Sequence, residues 1–122
     1  MKILLSIKPE FANKIFNGNK EYEFRRVIFK CNVTKVIVYA SSPVKKIIGE
    51  FEIEKIISHN IKTLWDETKE SSGIKKEYFF KYFRGKAIGY AIKIKSFREY
   101  KNPLSPEKTF GLKPPQSFAY IK

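Results

Sequence analysis

The stretch "GNKEYEFRR" (residues 18–26) is where the hydrophobic period of the chain changes from helical to two, and the fold turns on how it is read. Upstream of it, Pro9 suits a first helical position, and Phe11, Ala12, Ile15 and Phe16 recur at helical spacing. This predicts a short amphipathic helix over 9–17 that Gly18 stops. From Lys20 onward Tyr22 and Phe24 point one way, while Glu21, Glu23 and Arg25 point the other, as in a strand with one apolar face. Glu23 and Arg25 therefore share a face, and Arg26 points away from it. Strict alternation puts Lys20 and Glu23 on opposite faces, so their convergence requires an irregular strand start or a twist at Glu21. Taken alone, such a face is also what a solvated surface strand presents, with Glu23–Arg25 as an exposed pair worth about 0–1 kcal/mol.

The same reasoning extends outward. "ILLSI" (3–7) is a buried first strand, and "TKVIVYA" (34–40) is apolar on both faces, as a central strand is. "KKIIGEFEIEKIIS" (45–58) is a long strand whose alternation slips near Lys55, predicting a bulge, with Gly49 marking a bend or a close backbone approach. Asn60 caps a helix over 61–71 anchored by Leu64 and Trp65. "SSG" (71–73) breaks it, and a second helix follows at 75–84. There Tyr78, Phe79, Tyr82 and Phe83 fall at core-packing spacing. "AIGYAIKIKSF" (87–97) alternates Ile88, Tyr90, Ile92 and Ile94 against Ala87, Gly89 and Ala91, whose small size predicts a close-packed neighbour. Residues 102–117 hold four of the six prolines and read as loop, and "SFAYI" (117–121) adds a last strand. The expected core is Phe11, Phe16, Val36, Val38, Phe51, Ile53, Ile88, Tyr90 and Ile92. The whole, 1–122, is one α+β domain: five or six mostly antiparallel strands and about three helices in a small, partly closed β-barrel.

Composition narrows the function. A chain of 122 residues with 43% hydrophobic residues buries a single core. Its net charge of +13 attracts polyanions, nucleic acid first and an anionic membrane second. Most of its basic residues are lysines spread along the chain, a composition that genome bias or a hot habitat also produces. One cysteine, Cys31, excludes an internal disulfide and fits a reducing, cytoplasmic compartment. With His59 as the single histidine, no Cys/His zinc site can be assembled, and no metal or cofactor is expected. The apolar run in "MKILLSIKPEF" is too short for a signal peptide, and no stretch is long enough to span a membrane, so a soluble protein is expected.

Three motifs in order carry a family resemblance. "FNGNKEYEFRR" resembles the G-x-K-x-x-E-x-R signature of the ASCH domain, part of the PUA-like superfamily. "YASSPVKKIIGEFE" resembles the second and third strands of small archaeal and bacterial ASCH proteins, and "PPQSFAYI" their closing strand. The likeness runs from Met1 to Ile121. It implies a barrel of about five strands with helices at its ends and a cleft lined by the signature. Members are linked to RNA, to transcription-associated roles and, in some small forms, to hydrolysis of acylated nucleosides.

On their own chemistry, Lys20 is a compact phosphate donor or, when desolvated, a base or nucleophile. Glu23 suits acceptance from an exocyclic base amine or general acid–base work, and Arg25 suits holding Glu23 or gripping a phosphate. Arg26 is a weaker candidate. Ser41, Ser42, Gln116 and Ser117 are polar turn residues that the resemblance places near the cleft. The acylated-nucleoside hydrolases of the superfamily need a further acid, which here falls at Ser71 or Ser72 with Glu70 slightly early, and they carry threonine where this chain has Glu23. The leading expectation is therefore an RNA- or modified-nucleotide-binding module. The alternatives are a small amidohydrolase using Lys20, Glu23 and Glu70, and a non-catalytic interaction module of transcription or translation.

Overall fold

The computed structural model describes residues 1–121. The chain forms β1 (Lys2–Ile7), α1 (Pro9–Phe16), β2 (Tyr22–Arg25), β3 (Lys35–Ala40) and β4 (Lys46–Asn60). It continues with α2 (Ile61–Thr68), a 3-10 turn (Lys69–Ser71), α3 (Lys76–Tyr82), β5 (Ile88–Leu104), α4 (Pro106–Phe110) and β6 (Phe118–Ile121). Asn60 caps α2 as its side chain predicts, with Oδ1 accepting from Thr63 N at 2.9 Å. The segment expected to be loop holds α4 instead. Ser105 caps it by accepting from Lys108 N, Pro106 occupies its first turn, and Gly111 closes it at φ 66°.

The strands make one sheet in the order β2-β5-β4-β3-β1-β6. β1 runs parallel to β3 and every other pair is antiparallel. β3 sits inside the sheet, and Val36 through Ala40 are all buried there. The slip expected near Lys55 is present between Ile53 and Lys55, joined by irregularities at Glu52/Ile53 and Ile47/Gly49. Bulges sharpen the twist of the strand that carries them, so the long β4–β5 ribbon curls. The curl stops short of a barrel. β2 and β6 end the order without pairing, and the sheet is open along that seam.

The apolar faces fill three clusters. Ile3, Leu5, Ile15, Val36, Val38, Phe51 and Ile92 pack between the sheet and α1. Tyr22, Phe24, Leu64, Phe79, Phe83 and Ala91 pack where α2 and α3 cover β2 and β5. Leu4, Ile37, Tyr39 and Ile47 are covered by Phe110 and Leu112 of the tail. Among the expected core residues, Phe11, Phe16, Ile53 and Tyr90 are only half-buried, and Ile88 is 48% exposed. The small face of β5 explains the correction at Ile88. A Cβ on Gly89 would lie 2.6 Å from Phe83 Cε1, so α3 packs on the glycine side and leaves Ile88 outside.

Gly49 is the tightest approach in the sheet. A Cβ there would collide with the Phe16 ring and lie 2.7 Å from the carbonyl oxygen of Arg98. Backbone cannot yield as a side chain does, so Gly49→Ala should cost about 1–3 kcal/mol in urea denaturation, whereas Ile88→Ala should stay within about 0.5 kcal/mol. Equal stability of the two variants would contradict this packing.

Candidate functional site

Lys20 precedes β2 and escapes its alternation. After α1 ends, the N–H groups of Asn19 and Lys20 both donate to Lys14 O, at 2.9 and 3.1 Å, and hold the chain in a helix-terminal loop. β2 begins only at Tyr22, so nothing forces Lys20 and Glu23 apart. The "SSG" segment then closes over the lysine. Glu21 N donates to Ser71 O at 2.9 Å, Lys20 Nζ to Ser72 O at 2.9 Å, and Lys14 Nζ to Gly73 O at 2.9 Å. Gly73 has φ +70°, and a Cβ there would meet Lys20 Cβ at 2.6 Å, so only glycine allows this approach.

Lys20 is 3% exposed, and its ammonium lies 4.7 Å from the centre of the Phe24 ring and 5.5 Å from that of Phe11. Aromatic faces favour a cation at such distances. They do not replace water, however. Burial, the largest influence, lowers the Lys20 pKa to about 8, with Glu23 opposing the shift and Lys14 and Arg25 adding to it.

Arg25 ties the open seam. Its Nη2 donates to Ser6 O on β1 at 2.6 Å and stands 3.0 Å from Glu23 Oε2, while Nη1 donates to Ser117 Oγ at 3.4 Å. Its Nε is buried without a hydrogen-bond partner among the described residues. Glu23 is buried beside it. Above this pair opens a cavity of about 280 Å³ lined by Ser6, Ile7, Lys8, Phe11, Lys20, Glu23, Phe24, Arg25, Ser41, Ile74, Tyr78, Tyr82 and Gln116.

Five residues singled out in the sequence thus share one concave space: Lys20, Glu23, Arg25, Ser41 and Gln116. Ser117 stands behind it as a support for Arg25. Ser42 lies in the turn after β3 and does not line the cavity. Arg26 turns away and donates to the carbonyl oxygens of Tyr82 and Arg84, at 2.7 and 2.9 Å, capping the end of α3. Glu70 is also elsewhere. The 3-10 turn leaves it exposed, and the group that reaches Lys20 from this segment is the carbonyl of Ser72.

The aromatic wall is what sequence spacing missed. Tyr78 and Tyr82 line the cavity, whereas Phe79 and Phe83 are fully buried, so the doublets divide by residue type. The hydroxyls were the available signal: Tyr82 Oη donates to Phe24 O at 3.1 Å, and Lys8 Nζ reaches Tyr78 Oη at 3.5 Å. A phenol bridges an apolar wall and a polar mouth, which phenylalanine cannot do.

The buried lysine has a measurable consequence. A folded pKa of about 8 lies below the value of 10.5 that an exposed lysine has. Between these values the unfolded chain binds more protons, so stability gains a rising component from pH 8 to 10.5. Denaturation across that window should show a steeper rise for the wild type than for Lys20→Met. An identical slope would contradict the desolvated ammonium.

With the geometry described, comparison with known proteins places the chain. The family model for the ASCH domain matches residues 5–110. The chain is 34% identical over 122 residues to part of a Ureaplasma parvum protein named ATP synthase subunit alpha, covering 98% of this chain but only 15% of that one. It is 29% identical over 127 residues to a Zymomonas mobilis protein named ASCH domain-containing ribonuclease, covering 98% of this chain and 83% of its relative. The crystal structure of ASCH from Zymomonas mobilis superposes with a TM-score of 0.90 at 28% identity, covering 99% of this chain and 87% of that one. The order of motifs, the open curled sheet and the matched span agree, and the chain belongs to the ASCH domain family, with its PUA-like fold.

Proposed function

We propose that this domain binds RNA and that the cavity over Glu23 and Arg25 receives one nucleotide of a single strand. The observation that carries the reading is the convergence of Lys20, Glu23, Arg25, Ser41 and Gln116 with Phe11, Tyr78 and Tyr82 in one concave space. Polar groups at fixed positions against an apolar, aromatic lining are the usual make-up of a ligand site. Aromatic faces accept an unstacked base, and RNA is read mainly where its bases are unstacked. The net charge of +13 supplies the attraction for the phosphate chain outside the cavity. The relative named as a ribonuclease, similar over nearly the whole of this chain, supports the same polymer.

One observation favours a second reading, hydrolysis of an acylated nucleoside. A lysine with its pKa near 8 is the kind of group that enzymes use as base or nucleophile. Against it stands the absence of Glu70 from the cavity lining, which leaves Glu23 as the single carboxylate there among the described residues, already paired with Arg25. The binding reading therefore accounts for more of the site.

Two measurements separate these readings. Affinity for a short single-stranded RNA should fall with salt, with a log–log slope of about −0.7 for each phosphate contact. Lys20→Ala should weaken that binding by about 1–3 kcal/mol. Lys62→Ala should change little, because the Lys62 side chain is 82% exposed and pairs with Asp66 along its own helix. Failure to bind any RNA at low salt, together with turnover of an acylated cytidine that Lys20→Ala abolishes, would replace the first reading by the second.

A further inference from the structure

Glu23 is a largely buried carboxylate with one cationic partner. Its side chain is 8% exposed, and its Oε2 lies 3.0 Å from Arg25 Nη2. Among the described residues no other cationic side chain comes within ion-pair distance of it. An ionised carboxylate offers about four acceptor sites, and among the described residues neither Glu23 oxygen is a buried atom without a partner, so sites that protein donors leave free are open to the cavity. The neighbours do not fill them. Arg25 divides its Nη groups among Glu23, Ser6 O and Ser117 Oγ, and the Lys20 ammonium is bonded to Ser72 O. Because Glu23 lines the cavity, its unfilled acceptor sites face the space where a ligand would sit.

Resting on the RNA-binding reading above, we propose that Glu23 sets base specificity: the cavity takes a nucleobase that offers an exocyclic amine, namely cytosine, adenine or guanine, and rejects uracil. An amine supplies N–H donors to a carboxylate, the pairing that glutamate makes with the cytosine N4 amine. Uracil has a single N3–H between two carbonyl oxygens. Turned toward Glu23, it sets those oxygens against a carboxylate that already bears the same sign of charge. The aromatic lining does not choose, since every base has a π-face to stack. Discrimination therefore falls to Glu23, the one acidic group in the cavity lining among the described residues.

The test uses four fluorescent pentaribonucleotides, UUXUU with X as C, A, G or U, and anisotropy titrations at low salt. The three amine-bearing sequences should bind at least about tenfold tighter than UUUUU, the scale of one well-made base contact. N4,N4-dimethylcytidine at X keeps the ring and removes the donors, so it should return the affinity to that of UUUUU. In Glu23→Gln, with its fold checked by circular dichroism, the gap should close, because the amide donates to uracil O4 as well as accepting from an amine. Equal binding of all four sequences, undiminished binding of the dimethyl analogue, or a preference that survives in Glu23→Gln would overturn the assignment and leave RNA binding standing. No binding of any sequence would overturn the RNA-binding reading itself. Should Glu23→Gln not fold, the dimethyl analogue decides with the wild-type protein alone.

Discussion

The guanidinium of Arg25 is the contact on which the site depends. β2 stands at one end of the sheet order and β1 and β6 at the other, and no backbone pairing joins the two ends. Arg25 crosses that gap by donating to Ser6 O on β1 and to Ser117 Oγ just before β6, while its Nη2 also holds Glu23. A fully hydrogen-bonded seam would fill the space with backbone. A seam with no bridge would leave a four-residue edge strand anchored on one side only. The charged bridge keeps the ends in register and leaves room above them, and the cavity occupies that room. Both members of the pair are largely withdrawn from water, and a buried pair of this kind gains little net stability while penalising loss of either partner. Beneath the cavity such a pair positions its neighbours more than it stabilises the fold.

Around this bridge the remaining parts are placed by ordinary packing. α1 brings Phe11 to the wall and ends in the loop that carries Lys20. α3 buries Phe79 and Phe83 against Leu64, Ala91 and Phe24, and that anchoring turns Tyr78 and Tyr82 to the cavity. The segment between α2 and α3 lays three carbonyls across the Lys14–Glu21 loop. The ammonium of Lys20 is thus held by a backbone carbonyl.

Much of this could be read in the sequence, and what could not be read has physical causes. The change of period at Gly18, the Asn60 cap and the slip near Lys55 are local signals, and each corresponds to a feature of the fold. Ile88 was misplaced because alternation names two faces without saying which is covered. The glycine at position 89 carried the answer, since only a bare backbone admits Phe83 so closely. α4 was hidden by proline content, although Ser105, Pro106 and Gly111 mark its ends. At the site, Lys20, Glu23 and Arg25 stood out by charge and spacing. Tyr78, Tyr82 and Lys8 did not, because their convergence depends on long-range packing across 70 residues of chain. Glu70 was the opposite case, a charge close in sequence that a 3-10 turn directs outward.

In the proposed reading, ligand meets protein at the seam cavity. The most direct measurement is a backbone amide NMR titration with a short single-stranded RNA. The largest shifts should cluster at residues 6–8, 11, 20, 23–25, 41, 74, 78, 82 and 116, which line the cavity from five separate parts of the chain. Shifts concentrated instead on the β4–β5 ribbon, around Arg98 and Lys101, with the cavity residues unmoved, would contradict it.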